Sequence, residues 1–415
     1  MPDDRLLAAL AAEIADLEAA GIQKGAEDVV VEVLPAAGDH GPRFRLAGHG
    51  DRRFLRMNSN GYLGMSFRPE VIAAEEAAAR AWGVGPGAVR FISGTTRAHV
   101  DLERRLAAFH RREAGMIYSA AYAAVMGILP PLLNEATAVV SDALNHNSII
   151  NAIRLARPRE KRVYPHLDLA ALEAALEEVA GSCRRAVVVT DGIFSMRGDH
   201  APLDRIVEIA RGHDHRFPEN VVVVADDSHG IGAFGATGRG TEEHTGSPPV
   251  DLLVGTLGKA LGVNGGYVVG SAVTLRYLRE KSPFYIYSNP ITAAEAAAAT
   301  AALELLDGPQ GRALLDHLRA MTRRFEEGLV RLGYETIPGE HPIVPLMVRD
   351  TARTSALVRH LKDHGILATG LNYPVVPKGD EEIRFQVAAD HTPADIDLAL
   401  EVLEGFPGRE DRRCP

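Results

Sequence analysis

Lys259 is the residue of this chain best suited to covalent chemistry. It stands in the segment Asp251–Gly266, DLLVGTLGKALGVNGG, after an apolar run that predicts a buried strand. The glycines let the backbone turn sharply and approach a ligand closely. Burial beyond a strand end removes water from the ammonium group and favours the neutral amine that Schiff-base chemistry needs. Taken alone, the segment fits a catalytic lysine and a lysine in a surface turn equally well.

Other ligand motifs compete with this interpretation and fail on their neighbouring residues. A phosphate-binding P-loop needs Gly-x-x-x-x-Gly-Lys-Ser/Thr, but Leu253 replaces its first glycine and Ala260 its hydroxyl residue. The run Gly230–Gly235 matches Gly-x-Gly-x-x-Gly, yet a loop-like sequence follows where a dinucleotide site needs a helix. His213 and His215 fit a solvated loop, and no Cys or His pattern has zinc-site spacing. We therefore predict no metal site.

Polar clusters follow four of the predicted strands. Apolar, valine-rich strands alternate with helices from residue 137 onward, a pattern typical of a parallel sheet covered on both faces. In such sheets ligands bind beyond the carboxyl ends of the strands. The clusters at those ends are Asp142–His146, Asp191–Ser195, Asp226–His229 and Thr256–Lys259. Their convergence favours the catalytic interpretation of Lys259.

Three further stretches have a structural and a functional interpretation each. Ser119–Tyr122 joins a strand to a helix with small residues, which suits an anion at a helix N-terminus. Asn60 is either an ordinary turn residue or a ligand for a substrate carboxylate. Arg384 lies in an apolar strand, IRFQVA, and needs an anionic partner because an unpaired buried charge is costly. That partner is either a protein carboxylate or the substrate.

Length and element order predict the domain organisation. At 415 residues the chain suits one large domain with a smaller one attached. We expect an N-terminal helix with short strands over 1–60, a large doubly wound α/β domain over 61–310, and a small α+β domain over 311–415. The first of these includes an amphipathic helix over Leu6–Ala20, for which we expect packing on a partner surface.

The charge and cysteine content exclude several classes of protein. The formal net charge of −10 argues against nucleic acid as the main partner. Cys183 and Cys414 are the only cysteines, which suggests a reducing compartment without a disulfide framework. The first residues are acidic, unlike a secretory signal, and no apolar run reaches membrane-spanning length. We expect a cytoplasmic protein.

Together these motifs resemble the α-oxoamine synthases, fold-type I enzymes that depend on pyridoxal 5′-phosphate (PLP) and include glycine C-acetyltransferase and 8-amino-7-oxononanoate synthase. The likeness runs from about Asn58 to Phe406, and glycine C-acetyltransferase is the most similar subgroup on DALNH-SII, YPVVPKG and IR-Q-AA-HT. The motifs in chain order are SNGYLG, VRFISGTT, SDALNHNSII, TDGIFSM, DDSHG, GTLGKALG and IRFQVAADHT. The resemblance implies a large domain with a mainly parallel sheet and a small C-terminal domain.

The resemblance also implies how the ring of the cofactor is held. Lys259 would carry PLP covalently and later move the α-proton of the substrate. Asp226 would face the pyridine nitrogen and keep the ring protonated, which makes it a better electron sink. His229 would bond the phenolic oxygen, and His146 would stack on the ring face. Ser195 would lie beside the ring.

The phosphate would be held by groups from two subunits. Backbone groups of Ala121 and Tyr122 and the Thr256 hydroxyl match the family's phosphate site. Ser288 and Asn289 match the segment that reaches the phosphate of the neighbouring subunit. The family's enzymes are dimers with active sites at the subunit interface, so the resemblance implies a homodimer with shared sites.

For the substrate, the resemblance implies that Asn60 and Arg384 clamp the carboxylate of a small, glycine-like amino acid. This amino acid would condense with an acyl thioester on coenzyme A or a carrier protein, giving an α-amino ketone or a β-keto amino acid. The alternatives are a PLP aldolase acting on a β-hydroxy amino acid and a non-catalytic partner subunit. Such a subunit would be expected to have lost Lys259 or Asp226, and both are present.

Four residues depart from the family's usual pattern. Ala121 and Val125 stand where glycine and asparagine are common, Asn147 where alanine is usual, and Arg197 where aspartate is common. Polar changes close to the cofactor fit an unusual substrate and neutral surface drift equally well.

Overall fold

Helices and strands alternate through most of the chain in the computed structural model, which describes residues 4–19, 23, 26–373 and 375–407. Cys414 therefore lies outside the described residues, whereas Cys183 is a buried free thiol. The α-helices are α1 (Asp4–Ala19), α2 (Pro69–Trp82), α3 (Arg97–Phe109), α4 (Ala121–Leu132), α5 (Asn147–Ala156), α6 (Leu169–Val179), α7 (Leu203–His213), α8 (Thr241–Thr245), α9 (Ala272–Lys281), α10 (Pro283–Ile286), α11 (Ala293–Asp307), α12 (Pro309–Arg331), α13 (Thr351–Asp363) and α14 (Pro393–Glu404).

The strands fall into a large group in the middle of the chain and smaller groups near its ends. Those near the N-terminus are β1 (Val30–Leu34), β2 (Arg43–Leu46) and β3 (Leu55–Arg56). The central ones are β4 (Ala114–Tyr118), β5 (Thr137–Asp142), β6 (Glu160–Tyr164), β7 (Arg185–Asp191), β8 (Val221–Asp226), β9 (Leu252–Thr256) and β10 (Gly266–Gly270). The last ones are β11 (Glu335–Thr336), β12 (Ile343–Met347), β13 (Ile366–Leu367), β14 (Thr369–Leu371) and β15 (Glu382–Gln386).

The central strands form one sheet in the order β4-β10-β9-β8-β7-β5-β6. Strands β5 to β9 pair in parallel. Almost all residues of β5, β7, β8 and β9 are buried because helices cover both faces, whereas the edge strand β6 is partly exposed. The predicted α/β fold with a mainly parallel sheet is thereby confirmed. The parallel register places the carboxyl ends of β5, β7, β8 and β9 at one edge, where the predicted polar clusters begin.

Strand β10 was not predicted from the sequence. It runs antiparallel to both of its neighbours, β4 and β9, so the glycines after Lys259 turn the chain back into the sheet. A Cβ atom at Gly266 would collide with the backbone nitrogen of Ala121, so only glycine lets β10 pass the start of α4. This close approach connects the lysine segment to the candidate anion site.

A second, antiparallel sheet has the order β11-β12-β15-β14. The N-terminal segment is attached to this C-terminal part, since β3 pairs in parallel with β13. The Asp395 carboxylate also accepts hydrogen bonds from the Gly41 N–H at 2.9 Å and from the Arg43 side chain. Residues 366–371 form two strands, β13 and β14, which are separated at Ala368 and belong to different sheets. The domain boundaries at 60 and 310 stay a prediction.

The predicted N-terminal helix forms as α1, but no side chain in it is buried. Its packing on a partner stays a prediction. None of the helices in the described ranges is long and apolar enough to cross a membrane. Within the same ranges, no group of three or more His, Cys, Asp or Glu side chains is arranged to hold a metal ion.

Candidate active site

A cavity at the carboxyl edge of the central sheet collects most of the predicted site residues. We call it the strand-end cavity; its lining residues are Ala121, Tyr122, His146, Ser148, Asp191, Ile193, Ser195, Asp226, Ser228, His229 and Lys259. Three predicted cofactor residues, Thr256, Ser288 and Asn289, do not line it in the single chain. The predicted clusters at the ends of β5, β7, β8 and β9 therefore converge as expected.

Lys259 lines both this cavity and a second one. That second cavity, the outer cleft, is also lined by Asn58–Gly61, Gly262–Asn264 and Asp390. Burial lowers the pKa of Lys259 to about 8, although Asp226 and Asp191 oppose the shift. Among the described residues, no carboxylate lies within 4.0 Å of its ammonium group. A lysine of this kind keeps a substantial fraction of neutral amine near neutral pH.

Two buried carboxylates, Asp191 and Asp226, end the neighbouring strands β7 and β8 in register with each other. Burial, with the nearby charge of Asp226, raises the pKa of Asp191 well above its ordinary value. Asp191 accepts a hydrogen bond from the His146 backbone N–H at 2.9 Å, and Asp226 Oδ1 accepts one from the Ser228 N–H at 3.1 Å. Both carboxyl groups thus lie at the end of the cavity formed by the sheet.

Both histidines of the cavity are held as neutral rings. His146 caps the N-terminus of α5, with its Nδ1 2.8 Å from Ser148 Oγ, and burial lowers its pKa. His229 Nδ1 lies 2.8 Å from the Tyr62 hydroxyl, and burial places its pKa well below the ordinary value. A neutral imidazole can present a ring face or one N–H without adding positive charge beside Lys259.

The N-terminus of α4 opens into the same cavity. Its N-cap residue, Ala120, provides no side-chain cap, so the first backbone N–H groups of the helix face the cavity without a side-chain acceptor. This arrangement favours an anion. The Thr256 hydroxyl, in contrast, donates to the Gly265 carbonyl at 3.2 Å and accepts from the Gly258 N–H at 3.1 Å. Thr256 therefore stabilises the turn that carries Lys259.

Arg384 and Asn60 meet although 324 positions separate them. Arg384 Nη2 donates to Asn60 Oδ1 at 2.8 Å, and the Tyr62 hydroxyl donates to the same oxygen at 3.3 Å. When the amide oxygen of Gln386 faces the guanidinium, it accepts from Nη2 at 2.6 Å and from Nε at 2.7 Å. Across the described part of the chain, no carboxylate forms an ion pair with Arg384. The structural salt bridge that would explain a buried arginine is thus missing there.

A third cavity adjoins the first one through His146 and Ser195, which line both. We call it the apolar cavity because hydrophobic side chains form most of its wall. Its other lining residues are Ala143, Leu144, Asn145, Asn147, Phe194, Met196, Arg197, Met347, Val375, Val376, Pro377, Asp380 and Glu382. The strand-end cavity thus has neighbours that could receive two further reactants.

Sequence reasoning missed three polar residues of the site. Asp191 belongs to one of the predicted polar clusters, but the sequence analysis assigns it no role. An aspartate at the carboxyl end of a buried strand was a signal that could have identified it. Tyr62 lies in the same SNGYLG motif as Asn60 and supports His229. Ser228 follows Asp226, and its hydroxyl is buried without a hydrogen-bond partner among the described residues. Only the fold reveals that these residues lie together.

Comparisons with known proteins agree with this geometry. The model of the family "Aminotransferase class I and II" matches residues 52–403. The chain belongs to that family. The 8-amino-7-oxononanoate synthase of Marinobacter nauticus is 41% identical over 355 residues, which cover 85% of this chain and 87% of that protein. The synthase of Thermosipho melanesiensis is 39% identical over 354 residues, covering 85% and 88%.

Among solved structures, the serine palmitoyltransferase of Sphingomonas wittichii matches with a TM-score of 0.86 at 27% identity, covering 97% of this chain and 96% of that one. The predicted resemblance is confirmed: within the class I and II aminotransferases, the chain is a PLP-dependent α-oxoamine synthase, an acyltransferase. None of the relatives named here is a glycine C-acetyltransferase, so that subgroup stays a prediction.

The groups of the strand-end cavity fit PLP. The cofactor brings an aldehyde, a ring nitrogen and a phosphate. The cavity offers the Lys259 amine, the Asp226 carboxylate and an uncapped helix N-terminus. The buried Ser228 hydroxyl, which has no hydrogen-bond partner among the described residues, is a further polar group that a ligand could satisfy.

Proposed function

We propose that the enzyme condenses a small, glycine-like amino acid with an acyl thioester such as acyl-CoA, giving an α-amino ketone or a β-keto amino acid. The observation that carries this proposal is the position of Lys259, where the strand-end cavity meets the outer cleft that Asn60 lines. Arg384, bonded to Asn60, supplies a guanidinium without an ion-pair partner in the described chain. The Lys259 amine could thereby hold the cofactor and accept a proton from an amino acid bound beside it.

Each residue of the strand-end cavity then has a separate task. Bound PLP withdraws electrons from the α-carbon of an attached amino acid and so makes its proton acidic. Lys259 would hold the cofactor, and Asp226 would pair with the ring nitrogen. His146 would cover one face of the ring, and His229 would bond its phenolic oxygen. Ser195 would lie at the ring edge, on the side of the apolar cavity.

The phosphate would be held chiefly by backbone groups. The N–H groups of Ala121 and Tyr122 at the start of α4 are placed for an anion. Thr256, whose hydroxyl donates to Gly265, would join them only by giving up that bond. The remaining contacts would come from Ser288 and Asn289 of a second subunit.

Lys259 is suited to move the α-proton. Its pKa of about 8 lets the neutral amine accept the proton near neutral pH. Asp226 and Asp191 favour the ammonium group that results, because their charges oppose the lowering of its pKa. Arg384 and Asn60 would fix the carboxylate of the amino acid. Its Cα–H bond would then point towards the Lys259 amine. The acyl donor would approach through the apolar cavity beside His146.

A homodimer with shared sites is part of the proposal. Every described side chain of α1 is exposed, including Leu6, Leu10 and Ile14. Tyr287, next to the segment expected to reach the partner's cofactor, is also exposed. Large exposed apolar groups commonly mark a protein interface. Mass measurement in solution at micromolar concentration tests this: a dimer is expected, and a fully active monomer would contradict it.

The decisive experiment is a matrix of amino acids and acyl thioesters, followed by release of free thiol and by mass spectrometry of the products. We expect one small amino acid and one class of donor to give thiol and a condensed product. The rival aldolase would release an aldehyde from a β-hydroxy amino acid without any thioester. Fast aldehyde release, with no thiol from any donor, would disprove the synthase proposal.

A further inference from the structure

Glu382 is an acidic residue in the wall of the apolar cavity. It begins β15, whose alternation places Glu382, Arg384 and Gln386 on the same face of the strand. Arg384 bonds to Asn60 and to the amide oxygen of Gln386, whereas Glu382 lines the apolar cavity. Most of its neighbours in that wall are hydrophobic, among them Phe194 and Met347.

No protein group satisfies this carboxyl within the described part of the chain. Glu382 is 2% exposed, and its Oε1 atom is buried without a hydrogen-bond partner. Arg384 and Arg197 are near enough to act on it electrostatically, but neither forms an ion pair with it. Arg197 instead donates to Asp199 Oδ2 at 2.8 Å.

Burial therefore carries a cost that the protein offsets only in part. Burial raises the pKa of Glu382 to about 8, with Asp380 and Asp199 adding to the rise and Arg384 and Arg197 opposing it. Leucine or methionine would fill this wall without that penalty, since an unpaired buried polar group is unfavourable. The Glu382 carboxyl is unsatisfied and lines the apolar cavity, which adjoins the strand-end cavity. This indicates that a molecule entering the apolar cavity brings a polar group to it.

We propose that Glu382 determines specificity for the acyl donor by accepting a hydrogen bond from a hydroxyl or amide group of the thioester. The inference rests on the proposed function, because the apolar cavity is taken as the path of that donor. Two parts of the donor can supply such a group: the acyl chain itself and the amide-bearing arm that carries the thiol. The experiment below separates these sources.

The test compares the holoenzyme with Glu382→Leu and Glu382→Gln on three donors. Butyryl-CoA has an unsubstituted chain, 3-hydroxybutyryl-CoA adds a hydroxyl, and butyryl-mercaptoethanesulfonate lacks the amide arm. The leucine variant should lower kcat/KM about tenfold for donors that carry the recognised group, the loss of one hydrogen bond. Glutamine keeps an acceptor and should lower it less than threefold. A loss confined to the hydroxylated donor identifies the chain, and a loss confined to both CoA donors identifies the arm.

Binding provides a second measurement that does not depend on turnover. The dissociation constant of a non-reactive S-alkyl-CoA thioether, measured by calorimetry, should rise in the leucine variant when the arm is the source. When the chain is the source, a thioether with a hydroxylated alkyl group should show the rise. Glu326→Leu, which changes a partly buried acid outside all three cavities, is the control.

Two results would overturn the inference. The first is kinetics within twofold of wild type for both variants on all three donors. The second is an equal loss on all donors in the leucine variant, which marks a purely structural role. Thiol release by the wild-type enzyme is recorded in the same assay, so a failure of the proposed function is recognised separately.

Discussion

The strand-end cavity and the face of β15 that carries Glu382, Arg384 and Gln386 treat their polar groups differently. In the cavity, the rings of His146 and His229 are bonded to protein partners, Ser148 and Tyr62. On β15, Arg384 and Glu382 are two residues apart on the same face, yet the described chain shows no ion pair between them. Side chains that hold a cofactor must be fixed in advance, whereas a charged side chain that meets a substrate can remain without a protein counter-ion until the substrate arrives.

The difference separates two kinds of experiment. Where a polar group already has protein partners, its removal should mainly change stability or the geometry of its neighbours. Where a charged group lacks a protein counter-ion, its removal should mainly change the affinity for a ligand. The expected effects below run from the largest to the smallest.

Replacing Lys259 with alanine should have the largest effect. It removes both the attachment point of the cofactor and the proposed proton acceptor, so turnover should fall by about a thousandfold or more. Borohydride reduction of the wild-type holoenzyme, followed by peptide mapping, should mark Lys259, and the visible absorbance of the bound cofactor should change in the variant. Lys161→Ala on the exposed strand β6 is the control. A label on another lysine would contradict the assignment.

Arg384→Lys tests a charged group that has no counter-ion in the described part of the chain. The charge remains, but lysine cannot provide the planar fork that suits a carboxylate. We expect KM for the amino acid to rise about ten- to a hundredfold, equivalent to roughly 1.5–3 kcal/mol. Arg324→Lys, at an exposed bidentate pair with Asp397, is the matched control and should change KM little. An unchanged KM in Arg384→Lys would remove Arg384 from the proposed carboxylate site.

The central sheet and most of the strand-end cavity were predictable because both follow from order along the chain. Apolar strands alternating with helices predict a parallel sheet, and its carboxyl edge then gathers residues such as His146, Asp226 and Lys259. Strand β10 was missed because its five residues continue a glycine-rich run without a turn signal of their own. Its pairing with β4 is a long-range contact that local propensity does not reveal.

Contacts between distant segments set the limit of prediction for the candidate site. The sequence left Arg384 with either a structural or a substrate partner, and only the fold shows that its neighbour is Asn60. Glu382 carried no signal, since an acidic residue at the start of a strand is usually solvated. The resemblance predicts that the Thr256 hydroxyl binds the phosphate of the cofactor, yet in the structure this hydroxyl donates to the Gly265 carbonyl.

His166 is a polar group with protein partners on both ring nitrogens, and its ring contacts Phe194 in the wall of the apolar cavity. It bridges Asp142 at 3.0 Å and Asp199 at 3.2 Å, and these partners raise its pKa to about 9 against the opposing effect of burial. Because the pKa of His166 is higher in the folded than in the unfolded state, its protonation increases the free energy of unfolding. This contribution is complete below about pH 6.5 and is lost as the pH rises through about 9. Chemical denaturation should show His166→Gln less stable than wild type by about 2 kcal/mol at pH 6.

The same comparison at pH 10 should show almost no difference between His166→Gln and wild type. His215→Gln changes an exposed histidine and serves as the control at both values of pH. A difference in stability that is independent of pH would show that packing, and not charge, makes His166 stabilising. The KM for the amino acid should stay within twofold of wild type, because this group already has protein partners.

Asn147→Ala should have the smallest effect. It distinguishes the two explanations of Asn147, an unusual substrate and neutral surface drift. Asn147 Oδ1 accepts from the Tyr122 hydroxyl at 3.0 Å and from Asn151 at 2.8 Å, and all three side chains lie at the surface. Because water can replace exposed hydrogen bonds, their loss should cost no more than about 0.5–1.5 kcal/mol. We expect kcat and KM to change less than threefold and the absorbance of the bound cofactor to stay constant. A larger loss of turnover with a spectral shift would instead show that Asn147, through Tyr122 and the adjoining His146 ring, positions the cofactor.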